Sequence, residues 1–361
     1  MRKSAVINLF SPLELRGVSV ANRSWVSPMC QYSAHEGVVG DWHLVHLGSF
    51  ATGGAGLVVA EATAVSPEGR ISLNCPGLWN DVQVEAWSRV TSFAHSLGTP
   101  IGIQLAHAGR KGSTHAPWAH HQFATTQEGG WQTVAPSAIA FEGYPLPRAL
   151  SLEELDTLVA DFARAAERAV AGGFDVLEIH AAHGYLFHEF LSPLSKARDD
   201  EYGGDFANRV RLLLRVVETV RVVMPEKTPL FVRLSATDWA EGGWSDDETV
   251  ELASLLAGRG VDLIDVSSGG NVAHVKIPVG PGYQVGFAER IRREANVATS
   301  AVGLITDPHQ ADEIIQTGRA DAVMLARAHL RNPRWTLAAA EALGHVTPWP
   351  QQFDRARTLH A

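Results

Sequence analysis

The chain of 361 residues carries 30 Lys+Arg against 39 Asp+Glu, a formal net charge of −9, with 45% hydrophobic and 19% charged side chains. That balance excludes disordered, collagen-like and coiled-coil chains, and the acidic field argues against nucleic acid or an anionic membrane as a partner. Two cysteines, Cys30 and Cys75, make no disulfide framework; the start of the chain lacks a signal-peptide core, and no apolar run reaches about 18 residues, so a cytoplasmic protein is expected.

Apolar strand candidates open the chain at Ser24–Ser27, Leu57–Glu61 and Ile101–Leu105. Residues 106–150 then show little periodicity and carry His115, Trp118, His120, His121, Trp131 and Pro136, which reads as an inserted loop or lid. From Ser151 one pattern recurs. Ser151-Leu-Glu-Glu154 is a capping box, in which Ser and Glu each satisfy a free backbone N–H. Leu155, Leu158, Val159, Phe162, Ala166 and Ala169 mark one helical face, and Gly172-Gly173 stops the helix before the strand Asp175–His180. After the strand Leu230–Ser235, Ser245-Asp-Asp-Glu248 caps a helix through Leu252, Leu255 and Leu256. Gly258 and Gly260 end it ahead of Leu263–Val266. Following the strand Ala298–Val302, Asp307 caps a helix with Pro308 at its first position, Ile314 and Ile315 inward and Gly318 at its end. Ala322–Ala326 is the last strand, and residues 345–361 form a tail.

Helix-then-strand units demand parallel strands, and eight such strands close a barrel. An open doubly wound sheet would show G-x-G-x-x-G after its first strand, and neither that spacing nor a P-loop occurs. Gly53-Gly-Ala-Gly56 and Gly280-Pro-Gly282 have the wrong spacing. The fold class is therefore α/β: one (β/α)8 TIM barrel across residues 1–361, with an extended loop after its third strand.

A barrel interior is packed, so the site belongs at the carboxyl ends of the strands. Those ends hold Pro28-Met29-Cys30, Ala62, Gln104, His180 with His183 and Tyr185, Arg233, Ser267-Ser268, Gly303 and Ala326-Arg327. No close pair of acids appears among them, against a glycosidase, and no serine elbow, against acyl transfer. His180-Ala-Ala-His183 alone is a cheap pattern, repeated at His43-Leu-Val-His46, where it reads as structural. A metal-dependent barrel hydrolase could use His180 and His183 as ligands, although no third ligand stands nearby. Two N–H donors beside the Tyr185 phenol suit instead a carbonyl whose oxygen gains charge while a proton reaches carbon. On the far rim, Ala301–Thr306 and Met324–Arg327 occupy the usual barrel phosphate site, with Arg327 as counter-charge for a substrate or cofactor phosphate.

Further blocks run the length of the chain: Leu9-Phe-Ser-Pro12, Asn22-Arg23, Ser27-Pro-Met-Cys-Gln-Tyr32, Gln104-Leu-Ala-His-Ala-Gly-Arg-Lys111 and Ala135-Pro-Ser137. They continue with Glu178-Ile-His-Ala-Ala-His-Gly-Tyr-Leu186, Phe190-Leu-Ser-Pro193, Arg198-Asp-Asp-Glu-Tyr-Gly-Gly204 and Asn208-Arg209. In this order they resemble the Old Yellow Enzyme family of FMN-dependent ene-reductases. Cys30 and the closing Gln352-Phe-Asp-Arg355 are similar to its bacterial, xenobiotic-reductase-like subclass.

The resemblance implies that Ser27, Pro28, Met29, Cys30, Ala62, Gln104, His180, Arg233, Gly303, Ala326 and Arg327 surround FMN, with no metal. Gln104 would meet the pyrimidine edge, Arg233 the N1/O2 side, and Cys30 would tune the potential. NADPH or NADH would reduce the flavin, whose N5 then passes hydride to activated alkenes: unsaturated carbonyls, maleimides or nitro compounds. His180 and His183 would hold the substrate oxygen, Tyr185 would protonate the α-carbon, and Tyr32 and Lys111 would line the pocket. Self-association as a dimer or tetramer would bring Arg355 to the neighbouring site. A non-catalytic flavin redox sensor built on Cys30 is the non-enzyme alternative. Two departures stand out: Ala326 replaces a glycine usual before Arg327, and the histidine- and tryptophan-rich loop is longer than in compact members.

Overall fold

The computed structural model describes residues 7–357, so the last four residues of the tail lie outside it. Eight parallel strands close on themselves: β1 (Ser24–Val26), β2 (Leu57–Ala64), β3 (Ile101–Ala106), β4 (Val176–Ala181), β5 (Leu230–Ser235), β6 (Leu263–Ser267), β7 (Ala298–Ala301) and β8 (Ala322–Leu325). Each pairs with its sequence neighbour, and β8 returns to β1. The strand β2 runs three residues past the expected end, because Ala62–Ala64 keep pairing with Gln104–Ala106. Conversely β7 and β8 end one residue early: Gly303 turns to φ 128° and Ala326 leaves the extended region, which shapes the rim.

The expected helices form where their caps stand. In α3 (Leu152–Ala171), Ser151 Oγ accepts from Glu154 N, and Leu155, Leu158, Val159, Phe162 and three alanines are buried. In the helix Asp246–Ala257 Ser245 does the same with Glu248, and Asp307 caps the helix Pro308–Gln316. Each cap contributes about 1 kcal/mol, so the buried face carries most of the stability. Helices α1 (Asp41–Thr52) and α2 (Asp81–Ser96) have a blurred pattern in sequence. Trp42, Val45, Val82 and Phe93 on them are exposed.

Inside the barrel the period of two sorts side chains into layers. Leu57, Val59, Val176, Phe231, Leu263 and Met324 pack around Trp25 at the amino-terminal end, plugged by Leu15 and Val20 of a small hairpin. Two residues further along the strands come Glu178, Arg233 and Asp265, all buried. Arg233 Nε lies 2.9 Å from Asp265 Oδ2, while Glu178 Oε1 accepts from Gln104 Nε2 at 2.7 Å. One guanidinium cannot neutralise two carboxylates, and burial pushes both acids up. Two residues further again stand His180, Ser235 and Ser267. The layers thus pass from apolar to charged to chemical.

The insertion 106–150 is tied down. Thr114 pairs with both Ser72 and Phe123, and Ala124 N donates to the Ser113 carbonyl. The guanidinium of Arg70 lies over the Trp131 ring at 4.8 Å. The two-residue strands Val134–Ala135 and Arg148–Ala149 close its base.

Candidate active site

His180 is the penultimate residue of β4, and the chain then reverses sharply. His183 and Gly184 both take left-handed backbone, φ 60° and 72°, before Tyr185 caps the short helix α4 (Leu186–Leu191). This reversal gathers three rings: the His180 centroid lies 5.1 Å from that of His183 and 5.1 Å from that of Tyr185. The His183 N–H donates to Ser235 Oγ at 2.9 Å, and its Nε2 meets Ser267 Oγ at 2.7 Å. The backbone N–H of Ala182 donates to His180 Nδ1 at 3.3 Å, so that ring carries its proton on Nε2.

The electrostatics set the protonation states. Burial, then the charge of Arg233, holds both imidazoles well below the usual histidine range, so they are neutral donors. Burial likewise pushes the Tyr185 phenol well above its ordinary value and keeps its proton on. Among the described residues no three His, Cys, Asp or Glu side chains converge as metal ligands, so His180 and His183 lack a third.

Above these rings lies a vestibule of about 470 Å³ lined by Tyr32, Lys111, Tyr144, Tyr185 and loop residues including His115 and His120. Tyr32 and Lys111, both expected along the substrate pocket, line this vestibule. Lys111 is nonetheless not a free cation: its Nζ donates to the carbonyls of His183, at 2.8 Å, and Gly270, at 2.7 Å. Its environment, burial first, lowers it to about 8.

On the other side of the mouth, Arg233, Gly303, Ala326 and Arg327 line a cavity of about 160 Å³ with Ser267 and Thr306. A Cβ at Gly303 would stand 3.0 Å from Gln284 Nε2, and its φ of 128° needs glycine. Ala326 keeps its backbone N–H beside this cavity. A pocket lined by three arginines, Arg233, Arg327 and Arg331, with the Gly303 and Ala326 backbone in its wall fits a phosphate, so the residues present suit the phosphate-bearing end of FMN. Ser27, Pro28, Met29 and Cys30 follow β1, Ala62 lies near the end of β2 and Gln104 in β3, all on the same rim.

Cys30 and Cys75 are free thiols. Hydrogen bonding between the two, with burial, pushes Cys30 well up, so it stays a thiol. Arg355 is the residue the fold leaves apart from its own site. It is exposed on the turn Gln351–Ala356. Just before it, Trp349 and Pro350 line a cavity with Asn22, Gly54 and Gly98 at the amino-terminal end of the barrel.

Sequence reasoning passed over several buried supports. Glu61 lies at a register shift in β2, where a bulge re-aims its side chain. Its Oε2 accepts the Gln31 N–H at 2.9 Å, next to Tyr32, itself at φ 51°, and His43 Nε2 is 3.3 Å from Oε1. The last residue of Val58-Val-Ala-Glu61, a charge ending an apolar run, is the available signal.

A family model for the NADH:flavin oxidoreductase / NADH oxidase family matches residues 8–345. The chain is 45% identical to an NADH:flavin oxidoreductase of Gibberella zeae, across 97% of this chain and 89% of that one. It is 47% identical to an NADPH dehydrogenase of Geobacillus, across 96% and 98%. Among solved structures, morphinone reductase in complex with tetrahydroNAD superposes with a TM-score of 0.78 at 29% identity, covering 95% of this chain and 92% of that one. The old yellow enzyme homologue of Zymomonas mobilis gives 0.77 at 29%, covering 95% and 94%. With the barrel, the phosphate cavity and the His–His–Tyr cluster in place, the chain belongs to the NADH:flavin oxidoreductase / NADH oxidase family, as an FMN enzyme of the Old Yellow Enzyme type with NAD(P)H as reductant.

Proposed function

We propose that this enzyme reduces activated C=C bonds, with His180 and His183 holding the substrate's oxygen and Tyr185 supplying the proton. The observation that carries the reading is the meeting of two neutral imidazoles and one protonated phenol, rings 5.1 Å apart, beside a phosphate-sized cavity. When bound, FMN supplies the hydride chemistry, taking hydride from NAD(P)H and giving it to the acceptor.

The chain's own contribution is positional and electrostatic. As the β-carbon of an enone, maleimide or nitroalkene is reduced, charge gathers on its oxygen. Imidazole N–H donors already aimed there stabilise that charge without reorganising, and one such donor contributes about 3 kcal/mol in known oxyanion holes. Tyr185 holds its proton beside the carbon that must receive it. Arg233 fixes a positive charge at the mouth, backed by Asp265. Cys30 faces the same rim and tunes the potential; Tyr32 walls the substrate, and Lys111 lines the same vestibule. The insertion 106–150 acts as a lid.

Arg355 serves a neighbouring subunit: it is exposed, on a tail that runs along the far end of its own barrel. The exposed Trp42, Val45, Val82 and Phe93 on α1 and α2 support self-association.

The test is anaerobic. The FMN-loaded protein is reduced with NADPH or NADH, then mixed with cyclohexenone, N-methylmaleimide and a nitroalkene. Stoichiometric reoxidation with saturated product supports the reading. Reduction by nucleotide with no reoxidation by any of the three overturns it.

A further inference from the structure

The peptide joining His183 to Gly184 is held at both of its polar atoms. Its carbonyl accepts from Lys111 Nζ at 2.8 Å. Its N–H donates to His188 Nδ1 at 3.0 Å. A ring nitrogen that accepts carries no proton, so the His188 proton sits on Nε2, 2.9 Å from Asp238 Oδ1. Both side chains are fully buried.

Asp238 is itself fixed, accepting from Ser192 Oγ at 2.5 Å and from the Trp244 N–H at 2.9 Å. On the opposite side the Gly270 carbonyl crowds the turn, so that a Cβ at Gly184 would stand 2.2 Å from it. Left-handed backbone at a residue bearing a Cβ, as at His183, is strained and relaxes once its restraints go. The clamped peptide lies directly between the imidazole and the phenol that the reaction uses.

We infer that His188, backed by Asp238, is a positioning residue of the reaction: by gripping the Gly184 N–H it sets where the His183 and Tyr185 rings stand. It touches neither substrate nor cofactor. The carboxylate behind Nε2 makes Nδ1 the better acceptor, as carboxylates do behind ligating and catalytic imidazoles. The inference rests on the roles proposed above for His183 and Tyr185.

The two ring nitrogens can be tested apart. In His188→Asn the side-chain amide overlays Nδ1, keeping an acceptor for Gly184 and losing the contact with Asp238. In His188→Gln the amide overlays Nε2, keeping Asp238 paired and leaving the Gly184 N–H without an acceptor. A merely structural buried pair makes Asn the worse substitution, because it strands the carboxylate. A positioning role makes Gln the worse.

The FMN-loaded parent and both variants are titrated with 4-chlorophenol, a planar enolate mimic, and their reduced forms are mixed with cyclohexenone. The Gln variant should bind 4-chlorophenol about tenfold more weakly and be reoxidised about tenfold more slowly, with the Asn variant within about threefold of the parent on both. Equal losses in the two variants, or a greater loss in Asn, overturn the positioning role. Should neither variant fold, Lys111→Met decides, since it frees the other end of the same peptide: unchanged 4-chlorophenol affinity overturns the role, and about tenfold weakening supports it. A parent that neither binds 4-chlorophenol nor responds to cyclohexenone overturns the proposed function and the positioning role together. An active parent with equal variants overturns the positioning role alone.

Discussion

The indole of Trp118 stands edge-on to the ring of Tyr32, centroids 5.7 Å apart, so the tip of the inserted loop touches the wall of the vestibule. Trp118 is 71% exposed, and this contact spends an apolar ring on the mouth of the site instead of the core. Trp118→Ala should therefore leave the melting temperature within about 2 °C while raising KM for a bulky enone about threefold, with kcat nearly unchanged. Steady-state kinetics check this, and an unchanged KM would show that the loop does not shape substrate binding.

The protonation states predict a flat pH response. Burial keeps His180 and His183 neutral and Tyr185 protonated, each displaced away from neutrality. Lys111, lowered to about 8, loses a proton as pH rises, yet a neutral amine retains enough N–H groups for both carbonyls it holds. The reoxidation rate with cyclohexenone should change less than about twofold between pH 6 and 9. A sigmoidal step near the usual histidine pKa of about 6.5 would mean that an imidazole at the site titrates.

Glu189 should make stability fall as pH rises. Its side chain is buried, Oε1 accepts the Arg110 N–H at 2.9 Å, and burial pushes the carboxyl up to about 8. Folding thus takes up a proton between about 4.3, the unfolded value, and about 8. The stabilisation is complete below the lower value and lost as pH climbs through the upper one. Glu189→Gln cannot lose a proton, so from pH 5.5 to 7.5 its melting temperature should drop by about 3 °C less than the parent's. Melting curves at the two pH values decide it; parallel shifts would mean that Glu189 is ionised in the fold.

The barrel was legible because its signals are local. Ser151 with Glu154, Ser245 with Glu248, and Asp307 before Pro308 mark helix starts that the structure keeps. The apolar strands fell within a residue or two of their places, apart from β2. The His180, His183, Tyr185 cluster was also legible, since three polar rings within six positions leave a strand end together. What stayed hidden depends on contacts between distant segments. Lys111 reads as a pocket residue until its Nζ is found on carbonyls 72 and 159 positions away. Glu178 and Asp265 look like isolated charges in apolar strands until closure of the barrel sets them around Arg233. The insertion reads as irregular because its order comes from pairing with Ile71–Leu73 and from Arg70 against Trp131, not from any period of its own.

The central claim is that Tyr185 delivers the proton while the two histidines hold the oxygen. Its most direct test is stopped-flow comparison of the parent with Tyr185→Phe, each half-reaction followed separately. Removing one hydroxyl should leave reduction by NAD(P)H within about twofold and slow reoxidation by cyclohexenone a hundredfold or so, as loss of a general acid does. Reoxidation at the parent's rate, or equal slowing of both half-reactions, would contradict the account.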